Sequence, residues 1–268
     1  MSTHYETLQQ SAAYLDGFGV QAPADLGSKD IWPRKPSFFI RHIPGVAVLS
    51  VSEDQAQPLP VAEGEVMPAE GKVMPAEGEA SALQPALALP QRSLCVGQFG
   101  LVPAWVKSAS DAKLRSTKLV NARHETITTS NNFRDAWLSG QRCIVPMMAF
   151  FEDDFRPGKA VPTRISRIDG KPMGAAGVWC RWVGAGDEEI ISFTLLTVNA
   201  NSHALMHRYQ NPGAEKRMPV ILSEGAYDAY LSARPEKAKE FMRPFAAERL
   251  HANPVERKAD KIPVREPY

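Results

Sequence analysis

Short apolar runs separated by polar and turn-forming stretches dominate this chain, and that pattern predicts many strands. The clearest is Ser192-Phe-Thr-Leu-Leu-Thr-Val198, rich in β-branched and large apolar residues. Residues 46–51, 94–101, 163–168, 177–183 and 218–222 read the same way. Residues 142–151 are apolar almost throughout and predict one buried strand, ending in the acidic turn Glu152-Asp153-Asp154. Helical spacing is confined to three places. In residues 7–18, Leu8, Ala12, Leu15 and Phe18 fall on one face; the others are 224–231 and 235–245. Many strands with scattered helices, and no regular strand–helix alternation, predict an α+β fold and not a doubly wound parallel sheet.

Charge changes this picture in one region. Residues 53–79 hold seven acids against one base, Lys72, and contain a near-perfect seven-residue repeat. Ala62-Glu-Gly-Glu-Val-Met-Pro68 is followed by Ala69-Glu-Gly-Lys-Val-Met-Pro75 and then Ala76-Glu-Gly-Glu79. Seven is the coiled-coil period, but a proline and a glycine in each unit would break every turn of such a helix. The repeat therefore predicts a disordered acidic insertion, spanning 53–91, within a single domain of residues 1–268. The whole chain carries a formal +1; outside residues 53–79 it carries +7. A moderately basic fold permits contact with a polyanion without demanding it.

Composition excludes several classes. Cys95, Cys143 and Cys180 have no paired spacing, which argues against a disulfide scaffold or a thiolate zinc site. The longest apolar run is far too short to span a bilayer, and the first residues lack a basic-then-apolar export signal. The expectation is a soluble, cytoplasmic monomer with no membrane partner, no metal and no cofactor; no glycine-rich phosphate loop follows any strand.

Several residue types could carry chemistry. Glu152 follows an apolar strand, where a partly desolvated carboxylate can act as general acid or base; it could equally be a solvated acid. Asn121 and Arg123, two apart on an extended segment, point the same way and could hold a sugar and a phosphate, or simply cap a loop. Arg208, Lys216 and Arg217 bracket a Pro-Gly turn and form either a basic rim or an ordinary surface. Trp105 and the other tryptophans are either core or stacking platforms. His203 and His207 have helical spacing but no third ligand, and Cys143 reads as an inert buried thiol.

In order along the chain, six of these pieces resemble the SOS response associated peptidase (SRAP) family. They are Phe99-Gly-Leu-Val-Pro-Ala-Trp105, Asn121-Ala-Arg-His-Glu-Thr126, Arg142-Cys-Ile-Val-Pro146 with Phe150-Phe-Glu152, Gly177-Val-Trp179, Phe193-Thr-Leu-Leu-Thr197 with Ala200-Asn201, and Arg217-Met-Pro-Val-Ile-Leu222. The resemblance implies a curled, bifurcated, mostly antiparallel sheet flanked by helices. It also implies recognition of abasic sites in single-stranded DNA as part of the DNA-damage response. In that family the initiator methionine is removed, and the amine of residue 2, normally cysteine, attacks the abasic aldehyde to form an imine that the sulfur traps. Carried over, Asn121 orients the sugar or the amine, Glu152 shuttles protons, Arg123 holds a phosphate, and Trp105, Arg208, Lys216 and Arg217 bind the strand. This chain departs from the pattern at Ser2, which replaces the cysteine, and at Gln210, which stands for the family's histidine. A serine hydroxyl makes a reversible adduct at best, and Gln210 cannot transfer a proton at neutral pH. Three readings follow: abasic-site processing through a reversible imine with lyase or peptidase activity, a degenerate single-stranded-DNA-binding module, and a hydrolase using Ser2 or Cys143 with Glu152.

Overall fold

The computed structural model of the chain describes residues 3–43 and 92–255. Ser2, the strand expected at 46–51 and the acidic insertion at 53–91 lie outside the described residues. In chain order the strands are β1 (Tyr5–Glu6), β2 (Asp30–Ile31), β3 (Pro36–His42), β4 (Arg92–Phe99), β5 (Asn121–Arg123), β6 (Arg142–Met147), β7 (Ala149–Asp154), β8 (Val161–Arg167), β9 (Met173–Val183), β10 (Glu189–Asn199), β11 (Arg217–Pro219), β12 (Ile221–Leu222) and β13 (Leu250–Pro254). The helices are α1 (Ser11–Phe18), α2 (Ala109–Ser116), α3 (Arg134–Leu138), α4 (Tyr227–Ser232) and α5 (Pro235–Ala238).

These strands form two sheets, almost entirely antiparallel, with few and short helices, as the α+β reading expects. The larger has the order β11-β10-β4-β3-β6-β9-β12. Because β9 also pairs with β10, the strands β10, β4, β3, β6 and β9 close a ring of hydrogen bonding. Its interior explains the sequence pattern: β10 is buried from Ser192 to Val198, and all six residues of β6 are buried. Ring closure requires small residues where strands crowd. A Cβ on Gly177 of β9 would lie 2.5 Å from the Thr194 carbonyl oxygen and 3.0 Å from Cys143 Sγ. Among the described residues the only parallel pairings are β10 with β4 and with β5, and the latter sets Leu195 opposite Asn121 and Thr197 opposite Arg123.

The smaller sheet has the order β13-β8-β7-β1-β2, all antiparallel. Here the structure corrects the expected single strand over 142–151. The chain changes sheets at Met148, whose N–H donates to the Glu6 carbonyl at 2.7 Å. Continuous apolarity hides this switch, since β6 and the start of β7 are both buried. Nor do the three acids form a turn: they extend β7, with Glu152 and Asp154 on its buried face and Asp153 half-exposed.

Other boundaries move for local reasons. The helix expected over 7–18 starts only at Ser11, because β1 is claimed by its two neighbours and Thr7 bonds to Ser28 and Lys29 carbonyls. Residues 218–222 split at Val220 into β11, paired with β10, and β12, paired with β9. The helix expected over 235–245 ends at Ala238 and continues only as a 3-10 turn, ahead of Pro244.

Candidate active site

Buried polar residues gather where β7, β5 and β11 come near one another. A cavity of about 310 Å³ is lined there by Arg123, Glu152, Asp153, Phe155, Gln210, Asn211, Ala214, Glu215 and Arg217. Glu152 is supplied by β7, Arg123 by the end of β5, and Arg217 by the start of β11. The structure thus brings together four residues singled out in the sequence. Asn121 is half-buried at the start of the same short strand as Arg123.

Glu152 is buried at 6% exposure. Burial pushes its carboxyl up to about 7, against the downward pull of a hydrogen bond from Gln210. A group poised there exchanges protons in either direction at neutral pH.

Gln210 is held from several sides. Its N–H donates to the Asp153 carbonyl at 2.8 Å. Its side-chain Nε2 donates to the Arg217 carbonyl at 2.6 Å, and its Oε1 accepts from the Arg217 N–H at 3.2 Å. This clamp fixes the residue despite a backbone φ of 67°, a conformation rarely adopted by residues other than glycine. Lys216 reinforces the loop by donating from Nζ to the Gln210 and Asn211 carbonyls.

The expectation that Arg217 belongs to an exposed basic rim does not hold. It is 1% exposed, and its guanidinium reaches Glu125 and Glu215 at 2.7 Å each and the Thr197 hydroxyl and carbonyl at 3.0 and 2.7 Å. A buried cation needs such partners, so its charge is spent inside the protein. Burial alone would raise the Glu125 carboxyl, but the Arg217 guanidinium holds it below its usual range. Asn199, together with Arg217 and Arg123, does the same for Glu215. Arg123 is the more exposed cation of the cavity wall, paired with Glu215 at 2.8 Å.

Three expected strand-binding residues do not line this cavity: Lys216, which is tied to the Gln210 loop, Trp105 and Arg208. Trp105 is exposed, donates from Nε1 to the Asn131 carbonyl at 2.9 Å and carries the Arg115 guanidinium 4.6 Å from its ring centre. Arg208 is exposed at the end of a 3-10 turn, close enough to Asp154 to help hold that carboxyl low.

The two candidate histidines are committed to holding their loop. His203 accepts at Nδ1 from the Leu205 and Met206 N–H groups, which leaves Nε2 to donate to the Phe245 carbonyl at 2.7 Å. His207 donates from Nδ1 to the His203 carbonyl at 2.9 Å. Among the described residues no group of three histidine, cysteine or acidic side chains could hold a metal ion. Cys143 is fully buried in the ring, and burial pushes its thiol up, which removes the thiolate a hydrolase would need. No described helix is long and apolar enough to cross a membrane.

Sequence reading missed Asp153, Phe155 and Glu215 as walls of the cavity, and also an aromatic stack that includes Phe151 of β7. His4 lies between Trp32 and Phe151, with ring centres 4.1 and 3.9 Å away and planes within 11° and 8°. Its Nε2 lies 2.7 Å from the Asp30 carboxylate. The spacing of these four residues along the chain gives no local signal of the stack.

Comparison with known proteins identifies the family. The SOS response associated peptidase (SRAP) family model matches residues 50–262. The abasic site processing protein YoqW of Bacillus subtilis is 28% identical over 162 residues, covering 59% of this chain and 67% of its own length. The abasic site processing protein HMCES of Gallus gallus is 26% identical over 186 residues, covering 62% of this chain and 53% of its own length. A crystal structure of a protein from Bordetella bronchiseptica superposes with a TM-score of 0.73 at 33% identity, covering 95% of this chain and 99% of that one. With its two-sheet fold and its cavity around Glu152, this chain belongs to the SRAP family.

Proposed function

We propose that the protein recognises abasic sites in single-stranded DNA and processes them through an imine formed by the amine of Ser2, with Glu152 moving the protons. The observation that carries this reading is a buried carboxyl titrating near 7 in the wall of a cavity, on the strand that pairs with the first described strand of the chain. Strand β1 sets Tyr5 opposite Phe150, and the Phe151 N–H donates to the His4 carbonyl at 3.1 Å. Continued to Thr3, that antiparallel register sets Thr3 opposite Glu152. The names of the relatives, abasic site processing proteins, support the same substrate.

The chemistry follows from the groups available. An α-amine with an ordinary pKa near ~8 is partly neutral at physiological pH. Its nitrogen attacks the aldehyde carbon of the ring-opened sugar, and a proton passes from nitrogen to oxygen to give a carbinolamine. The protonated Glu152 carboxyl donates to that hydroxyl, water leaves, and a carbon–nitrogen double bond remains. The Ser2 hydroxyl can add to the imine to close a five-membered ring, but this adduct opens again readily. Gln210 donates a hydrogen bond to Glu152 without competing for the proton. Arg123, exposed at the cavity, holds a phosphate of the strand in exchange for Glu215.

The test is a crosslinking gel. The protein and a Ser2→Cys variant are incubated with a single-stranded oligonucleotide bearing one abasic site, with and without borohydride. The expected result is a wild-type band only after borohydride reduction and a stable band for Ser2→Cys without it. No band with either protein contradicts the imine, and retained binding would then favour the DNA-binding module.

A further inference from the structure

Strand β1 is only two residues long, and the chain starts just before it. Its registers set Tyr5 and Glu6 opposite Ile31 and Asp30 of β2, and opposite Phe150 and Ala149 of β7. Carried one residue back, both registers make His4 the direct cross-strand neighbour of Trp32 on one side and Phe151 on the other. The three rings fill that row in face contact, with centres 4.1 and 3.9 Å apart and planes within 11° and 8°.

Successive residues of a strand alternate in face. Tyr5 and Phe150 are fully buried on one side of the sheet, and Thr3 and Glu152 fall on that same side. The His4 row lies on the opposite side, and none of its rings lines the Glu152 cavity. The row instead grips the chain by the last side chain before Thr3. A two-residue ladder specifies its register poorly, and a slip of one residue would turn Thr3 to the face away from Glu152. Tyr5 in the core and His4 in the stack together exclude that slip. Histidine adds orientation, because its Nε2 donates to the Asp30 carboxylate at 2.7 Å and fixes the ring in its plane. The far end of β1 is tied separately, by Glu6 to Arg164 at 2.8 Å and to Lys29 at 3.6 Å.

We propose that His4 is a positioning residue for the imine reaction: its ring, clamped between Trp32 and Phe151, keeps the start of the chain in register with Glu152. The inference rests on the imine reading above and requires no contact between His4 and DNA. One residue of chain spans at most about 3.5 Å, so a fixed Thr3 leaves the amine of residue 2 little room to stray. Misplacing a reacting group by about 1 Å is enough to slow a positioned reaction.

The test follows the rate of borohydride-trapped adduct formation against the concentration of a single-stranded oligonucleotide bearing one abasic site. His4→Ala is expected to lower the rate at saturation about tenfold while the half-saturating concentration stays within about twofold of the wild type. His4→Phe keeps the stack and loses only the Asp30 bond, so it retains at least about half of the rate. Glu6→Gln, which loosens the far end of β1, reacts like the wild type. Amide hydrogen exchange reads the clamp without DNA: the Phe151 N–H, bonded to the His4 carbonyl, exchanges about tenfold faster in His4→Ala. Wild-type kinetics in His4→Ala, or unchanged exchange at Phe151, overturns the proposal while the function stands. Equal losses in His4→Ala, His4→Phe and Glu6→Gln mark a merely structural role, and a raised half-saturating concentration at unchanged rate marks a DNA contact; either overturns it. If the wild type forms no adduct, the imine reading fails and the positioning role with it.

Discussion

Strands β6 and β7 are neighbours in sequence, separated by Met148 alone, and each buries a titratable side chain. Cys143 on β6 lies inside the ring, and Glu152 on β7 faces the cavity. Burial pushes both groups up. What differs is the surroundings. Cys143 is fully buried against the glycine position of β9, where an added Cβ would lie 3.0 Å from its Sγ. Glu152 has the Gln210 amide beside it and open space in front, so it can change its charge without unfolding anything. A raised pKa therefore marks a functional group only where a cavity and partners accompany it.

Four experiments break or sharpen this contrast. The largest effect is expected from Arg217→Met, which strips Glu125 and Glu215 of their shared cation and removes the donors to the Thr197 hydroxyl and carbonyl. A loss of about 3–4 kcal/mol in denaturant unfolding is expected; a loss under 1 kcal/mol would mean that this wall does not depend on its ion pairs.

Glu152→Gln comes next. A carboxyl whose folded pKa is raised binds more protons folded than unfolded, so wild-type stability falls as pH climbs from about 4.5 to about 7 and is level beyond. The cost of holding the charged form is on the order of 3 kcal/mol. Glu152→Gln removes that cost, so the variant melts higher than the wild type above pH 7 and the gap closes toward pH 4.5. A gap independent of pH would contradict the assigned titration.

Gly177→Ala tests the solid side of the comparison. The added methyl meets the Thr194 carbonyl and Cys143 Sγ, and a loss of about 2 kcal/mol is expected. An unchanged stability would show slack around Cys143. The smallest effect is expected from deleting residues 61–80, which should shift the melting temperature by less than ~2 °C if the acidic repeat is an insertion without a structural role.

Much of this fold was legible in the sequence, because β9 and β10 coincide with apolar runs of strand length and β8 with a segment of mixed polar and β-branched residues, all of which survive in the structure. The strand β3 was missed although Phe38, Phe39 and Ile40 lie in it, since three apolar residues are too few to show a period. The candidate site was legible in part. Glu152, Gln210 and Arg123, all singled out in the sequence, line one cavity. Arg217 could not be read correctly, because a cation beside a turn looks exposed until Glu125, 92 residues away in the chain, is brought to it. The same holds for the Trp32–His4–Phe151 stack, assembled from three distant segments by β1 lying between β2 and β7. Pairing across sequence distance leaves no local trace.

The most direct test of the central claim, that Glu152 transfers the proton, is the rate of borohydride-trapped adduct formation between pH 5 and 9 for the wild type and Glu152→Gln. The account predicts a bell for the wild type, with one limb set by Glu152 near 7 and the other by the amine near ~8. In Glu152→Gln the rate is far lower and climbs steadily with pH as the amine loses its proton. Identical profiles for the two proteins would contradict it.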